Sequence, residues 1–294
     1  MGSPLTVASS ISEIRSIWRD CRANGKTIGI VPTMGALHEG HLSLMRAARP
    51  ECDLLVTTLF VNPTQFAPGE DFEKYPRPLE RDLDLCRAEA VDVVFTPTPD
   101  VMYPAGHQTH VTVEQLSRPW EGAHRPSHFR GVTTVVLKLL NIVQPDIAFF
   151  GQKDFQQQLL IRQMCRDLNV PTRIQTCATV REPDGLALSS RNAYLSSEER
   201  KQAAKLASAL QLGLNQLADG KTHLPGIREQ MKQHLEAETE FQTDYITIVD
   251  AQTLEEPDSP TDQMVAIGAA SLGTTRLIDN LLVPPLTLET LNSI

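Results

Sequence analysis

The chain has 294 residues, 41% of them hydrophobic and 21% charged, which suits an ordinary globular protein with a large core in one domain or two. A formal net charge of −9 argues against a nucleic-acid binder, which needs a basic stripe to neutralise phosphates, but leaves room for a local cationic pocket. Cys21, Cys52, Cys86, Cys165 and Cys177 are odd in number, widely spread and without a C-x-x-C, against a disulfide framework or zinc site and in keeping with a reducing compartment. Residues 1–5 lack a basic stretch leading into an apolar signal core, and no apolar run approaches membrane-spanning length. Met1-Gly2 invites a myristoylation reading that Thr6 supports poorly. The expectation is a cytoplasmic protein with neither a membrane nor a nucleic-acid partner.

In chain order, Ser10 and Glu13 form a capping-box pair ahead of Ile11, Ile14, Ile17, Trp18 and Cys21 at helical spacing, and Asn24-Gly25 ends that helix. Thr27–Val31 reads as the first strand. Residues 54–61 form a nearly continuous apolar run, as a strand buried on both faces requires. A helix over Leu79–Ala90 leads to a third strand, Val91–Phe95. Alternating strands and helices imply a parallel sheet with crossovers. A proline-interrupted region follows, then a helix at Val132–Val143, a buried strand at Ile147–Phe150, a helix at Phe155–Leu168 and a strand at Thr172–Val180. Past the turn cluster at 181–185 the pattern changes. Ser196 and Glu199 form a second capping box, with Ala203, Leu206, Ala207, Leu210, Leu214 and Leu217 lining one helix. Pro225–Glu238 fits another helix, and Tyr245–Val249, Met264–Ala270 and Arg276–Leu282 are strand candidates. Helices followed by consecutive strands read as a small α+β domain, with the boundary near residue 183.

Four stretches carry chemistry. In the first, residues 29–42, a β-branched run passes through Met34, Gly35, Ala36 and Leu37 into His38, Glu39, Gly40 and His41, where a helix begins. Free N–H groups at a helix start favour anions, the histidines add donors, and the glycines let the backbone approach a ligand. This turn resembles the HIGH-type signature of nucleotidyltransferases and class I aminoacyl-tRNA synthetases; the bland alternative is a pair of loop histidines beside a helix cap. The second, residues 60–66, ends a parallel strand where open α/β sheets place ligands. Asn62 and Gln65 there suit hydroxyls and carboxylates, or equally the local backbone of a turn. The third runs from Phe149 through Gly151, Gln152, Lys153 and Asp154 to Gln157. Lys153 is a point charge for phosphate and Asp154 suits a helix start or a nucleotide hydroxyl, against a solvated Lys-Asp pair. The fourth, residues 184–192, places Ser189, Ser190 and Arg191 in one mobile-looking loop, an anion clamp or a linker that caps the next helix. Gly220-Lys221-Thr222 has Asn215 where a Walker A loop needs its first glycine, so P-loop chemistry is not expected.

Together these stretches resemble the pantoate–β-alanine ligases over nearly the whole chain. Tyr75-Pro76-Arg77, Glu121-Gly122 to Arg125-Pro126, residues 128–132 and the ending Arg276-Leu277-Ile278-Asp279-Asn280 agree with that family. The resemblance implies an α/β fold: a Rossmann-like parallel-sheet domain over 1–182 and a smaller α+β lid domain over 183–294. It implies ATP-dependent condensation of pantoate with β-alanine through a pantoyl adenylate, with MgATP as substrate and a homodimeric enzyme. By matching position, Met34, Gly35, Ala36, Leu37, His38, Glu39, Gly40, His41, Gly151, Gln152, Lys153, Asp154, Val180, Leu188, Ser189, Ser190 and Arg191 are the ATP-binding residues. His41 is the proton donor, and His38, Lys153, Ser189, Ser190 and Arg191 are the other expected catalytic groups. Gln65 is shared by pantoate and β-alanine, Gln157 and Asn62 contact pantoate, Met34 and Phe66 shape the pocket for its dimethyl side, and Asp82 helps hold Mg²⁺. Gln152 departs from the glutamate of many members, which bears on how Lys153 is held. The rival is an adenylyltransferase that keeps AMP in its product. Some members carry a fused cytidylate kinase; residues up to 294 are expected to support the ligase alone.

Overall fold

The computed structural model describes residues 4–237, 239–284 and 288–293; Met1-Gly2 and the Glu238 end of the expected 225–238 helix lie outside the described residues. The chain divides into two compact units. The first holds residues up to 118, 125–151 and 156–177; the second holds 119–124, 152–155 and the residues from 178 onward.

The first unit is Rossmann-like. Its strands are β1 (Thr6–Ala8), β2 (Ile28–Thr33), β3 (Leu54–Leu59), β4 (Val93–Phe95), β5 (Ile147–Gly151) and β6 (Arg173–Cys177). They form one sheet in the order β1-β4-β3-β2-β5-β6, every pair parallel. Its helices are α1 (Ile11–Ala23), α2 (Glu39–Ala48), α3 (Leu79–Ala88) and the short α4 (Pro99–Met102). After α5 (Glu121–His124), which belongs to the second unit, come α6 (His128–Val143) and α7 (Phe155–Asp167). Successive strand residues point to opposite faces. Ile30, Val56, Val93 and Phe150 join the core with Ile14 of α1 and Val132, Val136 and Leu139 of α6; Val31, Leu55, Val94 and Phe149 join a second core with Leu44 and Met45 of α2 and Leu83 of α3. Burial on both faces is why these strands read as continuous apolar runs. From β2 the chain moves outward to β3 and β4, then crosses back to place β5 and β6 on the other side of β2, so a topological switch point, where open α/β sheets bind ligands, lies at the carboxyl ends of β2 and β5, with the end of β3 beside it.

The second unit is α+β. It contains α8 (Ser197–Ala203), α9 (Lys205–Ala218), α10 (Leu224–Glu236), the antiparallel strands β7 (Gln242–Asp250), β8 (Met264–Leu272) and β9 (Thr275–Val283) in that order, and α11 (Leu288–Ser293). Leu206, Leu210, Ile227, Met231 and Leu235 pack with Ile246, Ile248, Ala266 and Leu277 into its core. The single helix expected through Ala203–Leu217 is two, broken at Ala204, a residue that carries no helix-stop signal. Glu121 explains why 119–124 belongs here. It accepts a fork from Arg276 (2.8 and 2.6 Å) and a bond from the Tyr245 hydroxyl (2.9 Å).

The Ser10–Glu13 and Ser196–Glu199 capping boxes form as the spacing predicts. All five cysteines are free, and burial pushes the thiol of Cys52 up to about 11 and that of Cys86 up to about 12. No helix among the described residues is long and apolar enough to cross a membrane.

Candidate active site

The 33–41 turn is built from within the first unit. Thr33 ends β2 with its hydroxyl donating to the Thr58 carbonyl (2.6 Å) and accepting from the Gly35 N–H (3.1 Å). Gly35 (φ 81°) and Ala36 (φ 50°) both adopt the left-handed region, so the chain turns sharply here, at a cost for the alanine. Asp82, 2% exposed on α3, holds that turn: its two carboxylate oxygens accept from Ala36 N (2.8 Å) and Leu37 N (2.9 Å). Burial raises its carboxyl above the ordinary value, and those two N–H groups pull against the rise.

His38 is the N-cap of α2. Its Nδ1 accepts from Gly40 N (3.1 Å), and the Nδ1 of His41 accepts from His38 N (3.4 Å), a capping box made of two imidazoles whose ring centroids lie 4.2 Å apart. A ring nitrogen that accepts a backbone N–H carries no hydrogen, so each neutral ring bears its proton on Nε2. The capping geometry thus makes both histidines Nε2–H donors at the positive end of a helix. Glu39 faces outward and pairs with Arg46.

At the end of β3, Asn62 is 1% exposed and every polar atom of its amide is engaged. Oδ1 accepts from the Thr64 backbone N–H (3.3 Å), the Thr64 hydroxyl (2.9 Å) and the Tyr103 hydroxyl (2.8 Å); Nδ2 donates to Gln65 Oε1 (3.0 Å) and Gly131 O (3.2 Å). Gln65, 9% exposed, thereby has its carbonyl oxygen fixed by Asn62, while its Nε2 lies 2.9 Å from the Met34 sulfur, a weak acceptor. His128 Nδ1 lies 2.9 Å from the Gln65 backbone carbonyl, and Arg125, forked onto Glu70, also reaches that backbone oxygen (3.4 Å). Phe66 packs edge-on to Phe72 and Tyr75. Gln157 lies half-buried in the first turn of α7.

In the second unit, Gln152 is buried and Lys153 half-buried, with Nζ 3.7 Å from Asp154. The 180–188 segment that leads into the Ser189–Arg191 stretch is a hydrogen-bonded hairpin. Leu188 N donates to Val180 O (3.0 Å), Arg181 bridges Ala187, Glu182 N donates to Leu186 O (2.8 Å), and Asp184 pairs with Arg200. Ser189 caps the 3-10 turn Ser190–Tyr194 by accepting from Arg191 N (3.2 Å).

A family model described as pantoate-beta-alanine ligase matches residues 6–282. The chain belongs to that family. It is 50% identical over 279 residues to the pantothenate synthetase of Moorella thermoacetica, covering 95% of this chain and 99% of that protein. The pantothenate synthetase of Geobacter sulfurreducens is 49% identical over 276 residues, 94% of this chain and 98% of that one. The fold matches the crystal structure of pantothenate synthetase from Thermus thermophilus with a TM-score of 0.91 at 44% identity, over 95% of this chain and all of that one. A pantoate-beta-alanine ligase from Francisella tularensis, solved with beta-gamma ATP and beta-alanine, matches at a TM-score of 0.78 and 34% identity, over 95% and 98% of the two chains. The adenylyltransferase alternative is not favoured, since relatives matching over nearly their full lengths are ligases.

Within this ligase framework, three expected ligand groups have local structural partners. Asn62 bonds Gln65, Gly131, Thr64 and Tyr103; Asp82 accepts from the 36–37 amides; Ser189 Oγ accepts from Arg191 N. Among the described residues no three His, Cys, Asp or Glu side chains are grouped to hold a metal ion. Tyr103 and Gly131, which complete the Asn62 network, escaped the reading of residues as site members. Gly131 lies in the 128–132 stretch that agrees with the family, just ahead of the helix expected from Val132.

Asp82→Ala leaves two N–H groups at a buried turn without their acceptors. The expected loss is about 1–3 kcal/mol of stability, read from the urea midpoint, together with a raised KM for ATP. An unchanged midpoint and KM would contradict the role of Asp82 in shaping the turn.

Proposed function

We propose that this pantoate–β-alanine ligase works in two steps, with the α2 N-terminus and its two Nε2–H donors receiving phosphate oxygens of ATP. In the first step a pantoate carboxylate oxygen attacks the α-phosphorus. The bond to the pyrophosphate oxygen breaks, leaving pantoyl adenylate. In the second, the β-alanine amine attacks the pantoyl carbonyl carbon and the bond to the AMP oxygen breaks, giving pantothenate and AMP while the nitrogen gives up a proton. No side chain becomes covalently attached. Catalysis rests on alignment and on absorbing charge as it develops.

The roles follow the chemistry of each group. His41 and His38 donate from Nε2 toward phosphate oxygens that gain charge, Lys153 supplies a point charge, and Ser189, Ser190 and Arg191 close on the anion. Met34–Leu37, Glu39–Gly40, Gly151–Gln152, Asp154, Val180 and Leu188 line the ATP site. Gln65 Nε2 faces pantoate and β-alanine, Gln157 contacts pantoate, and Asn62 serves pantoate by holding Gln65. Mg²⁺ enters as MgATP, in keeping with a hard cation that keeps its waters and binds through substrate phosphates. It would share the phosphate charge there; Asp82, engaged with two amides, serves the turn. The same reading takes the enzyme to be a cytoplasmic homodimer, with 1–182 as the catalytic domain and 183–294 as its lid.

The observation that carries this reading is the double imidazole cap, which commits both Nδ1 atoms and aims the chemistry at Nε2. The test is to incubate the protein with MgATP and pantoate, then add β-alanine. Pyrophosphate with pantoate alone, then AMP and pantothenate together after β-alanine, is the expected result. Pyrophosphate release indifferent to pantoate would overturn it.

A further inference from the structure

Strand β9 breaks its own pattern in the middle. Leu277 points inward and Ile278 is partly exposed, but Asp279 and Asn280 are then both buried, at 5% and 1% exposure. Asp and Asn are poor strand residues, and a buried polar pair costs stability unless each atom finds a partner. Here each does, and the partners lie on the segments that bear expected ATP-binding residues. Both hydrogens of the Asn280 amide are used: Nδ2 donates to the carbonyls of Gln152 (2.9 Å) and Lys153 (2.8 Å). Its Oδ1 accepts from Gln152 Nε2 (3.0 Å). Its backbone N–H donates to Asp279 Oδ1 (2.7 Å) and its carbonyl accepts from Arg181 Nη2 (3.1 Å). Asp279 in turn takes a two-point fork from Arg181 (2.6 and 2.8 Å), whose Nη1 also donates to Gly185 O (3.0 Å) in the 180–188 hairpin.

We infer that Asn280 is a positioning residue for Lys153, fixing the Gln152-Lys153 backbone from which the ammonium is presented. Two carbonyls facing Nδ2 leave the amide one orientation, with Oδ1 turned to Gln152. Only a donor satisfies Oδ1 there, which gives the neutral Gln152 its purpose: a glutamine locks the amide where an ionised glutamate would face it with a second acceptor. Lysine is a point charge on a flexible stem, so the main chain at its base sets where that charge can reach. An apolar residue at 280 would suit the sheet's own packing better. The polar one serves the segment it bonds, as expected where a local rule is broken at a functional site.

This inference rests on Lys153 being a phosphate ligand, and the test separates the two claims. Asn280→Ala is made alone and in the Lys153→Ala background of the full chain, and pantoate-dependent pyrophosphate release is measured at saturating and limiting ATP. Asn280→Ser, which keeps one donor in a smaller side chain, is carried in parallel in case the alanine variant does not fold. The expected result is a loss of about 10–10² in kcat/KM for ATP in the wild-type background, the scale of a reacting group misplaced by about 1 Å. In the Lys153→Ala background the further loss is expected to be less than about twofold, because residues acting as one unit are not additive. An equal loss in both backgrounds would overturn the positioning role and leave Asn280 a general fold residue. Near wild-type rates for Lys153→Ala would overturn the lysine's phosphate role, and the positioning role with it.

Discussion

His41→Ala is expected to slow pyrophosphate release with pantoate and MgATP by about 10²–10³, the loss typical of removing one donor to a charge that develops in the transition state. The change in folding stability should be far smaller. His41 contributes one backbone bond to the α2 cap, from His38 N at 3.4 Å, while His38 itself still accepts from Gly40 N. Losing one such bond costs about 0.5–1.5 kcal/mol. Rate and stability therefore separate, and that separation is the informative result. His41→Asn offers an amide donor on a shorter side chain and should restore part of the rate. Near-normal pyrophosphate release from the alanine variant would remove His41 from the chemistry and leave it a helix cap.

Gly131→Ala is expected to destabilise the first unit, contrary to what helix propensity says. Glycine in a helix is ordinarily about 0.5–1 kcal/mol worse than alanine. At Gly131 a Cβ would collide with the backbone carbonyl of Thr64 and come within 2.6 Å of Gln65 N. Backbone cannot rotate away as a side chain can, so α6 and the 62–66 turn must separate. Overpacking of this kind costs about 1–3 kcal/mol. The same displacement pulls Gly131 O from Asn62 Nδ2 and loosens Gln65, so the KM for pantoate should rise by about tenfold or more while the KM for ATP changes little. Thermal unfolding and steady-state kinetics read both. An alanine variant more stable than the parent, with normal pantoate affinity, would show that helix and turn do not meet as closely as described.

What the sequence made legible and what it hid divide along sequence distance. The long apolar runs of β2, β3 and β5 announce strands buried on both faces, and the switch-point site at their ends follows from topology. The capping boxes at Ser10 and Ser196 are readable because their partners are three residues away. β1 is not, since three residues gain their meaning only by pairing with β4. The first turn of α6 is likewise hidden, because Gly131 looks like a helix breaker until Thr64 is seen lying against it. The internal network of Asn62 is hidden because its own neighbours do not reveal Tyr103 and Gly131, which are 41 and 69 positions away. The part Asp82 plays in the turn is hidden because the amides it holds lie 45 and 46 residues upstream. Asn280 and Gln152 are 128 positions apart, and no local pattern joins them. A motif can show which residue types gather near a strand end. Whether an amide faces a ligand or its neighbours depends on contacts that only the folded chain supplies.

The central claim, attack by the pantoate carboxylate on the α-phosphorus, is tested most directly by an isotope. Pantoate labelled with ¹⁸O in its carboxylate is turned over with MgATP and β-alanine, and the AMP and pyrophosphate are weighed by mass spectrometry. A pantoyl adenylate requires one labelled oxygen in each AMP, because the carboxylate oxygen bonded to phosphorus stays there when the amine cleaves the acyl bond. Label in the phosphate of pyrophosphate, or in neither product, would contradict the adenylate route and the roles given to the residues around it.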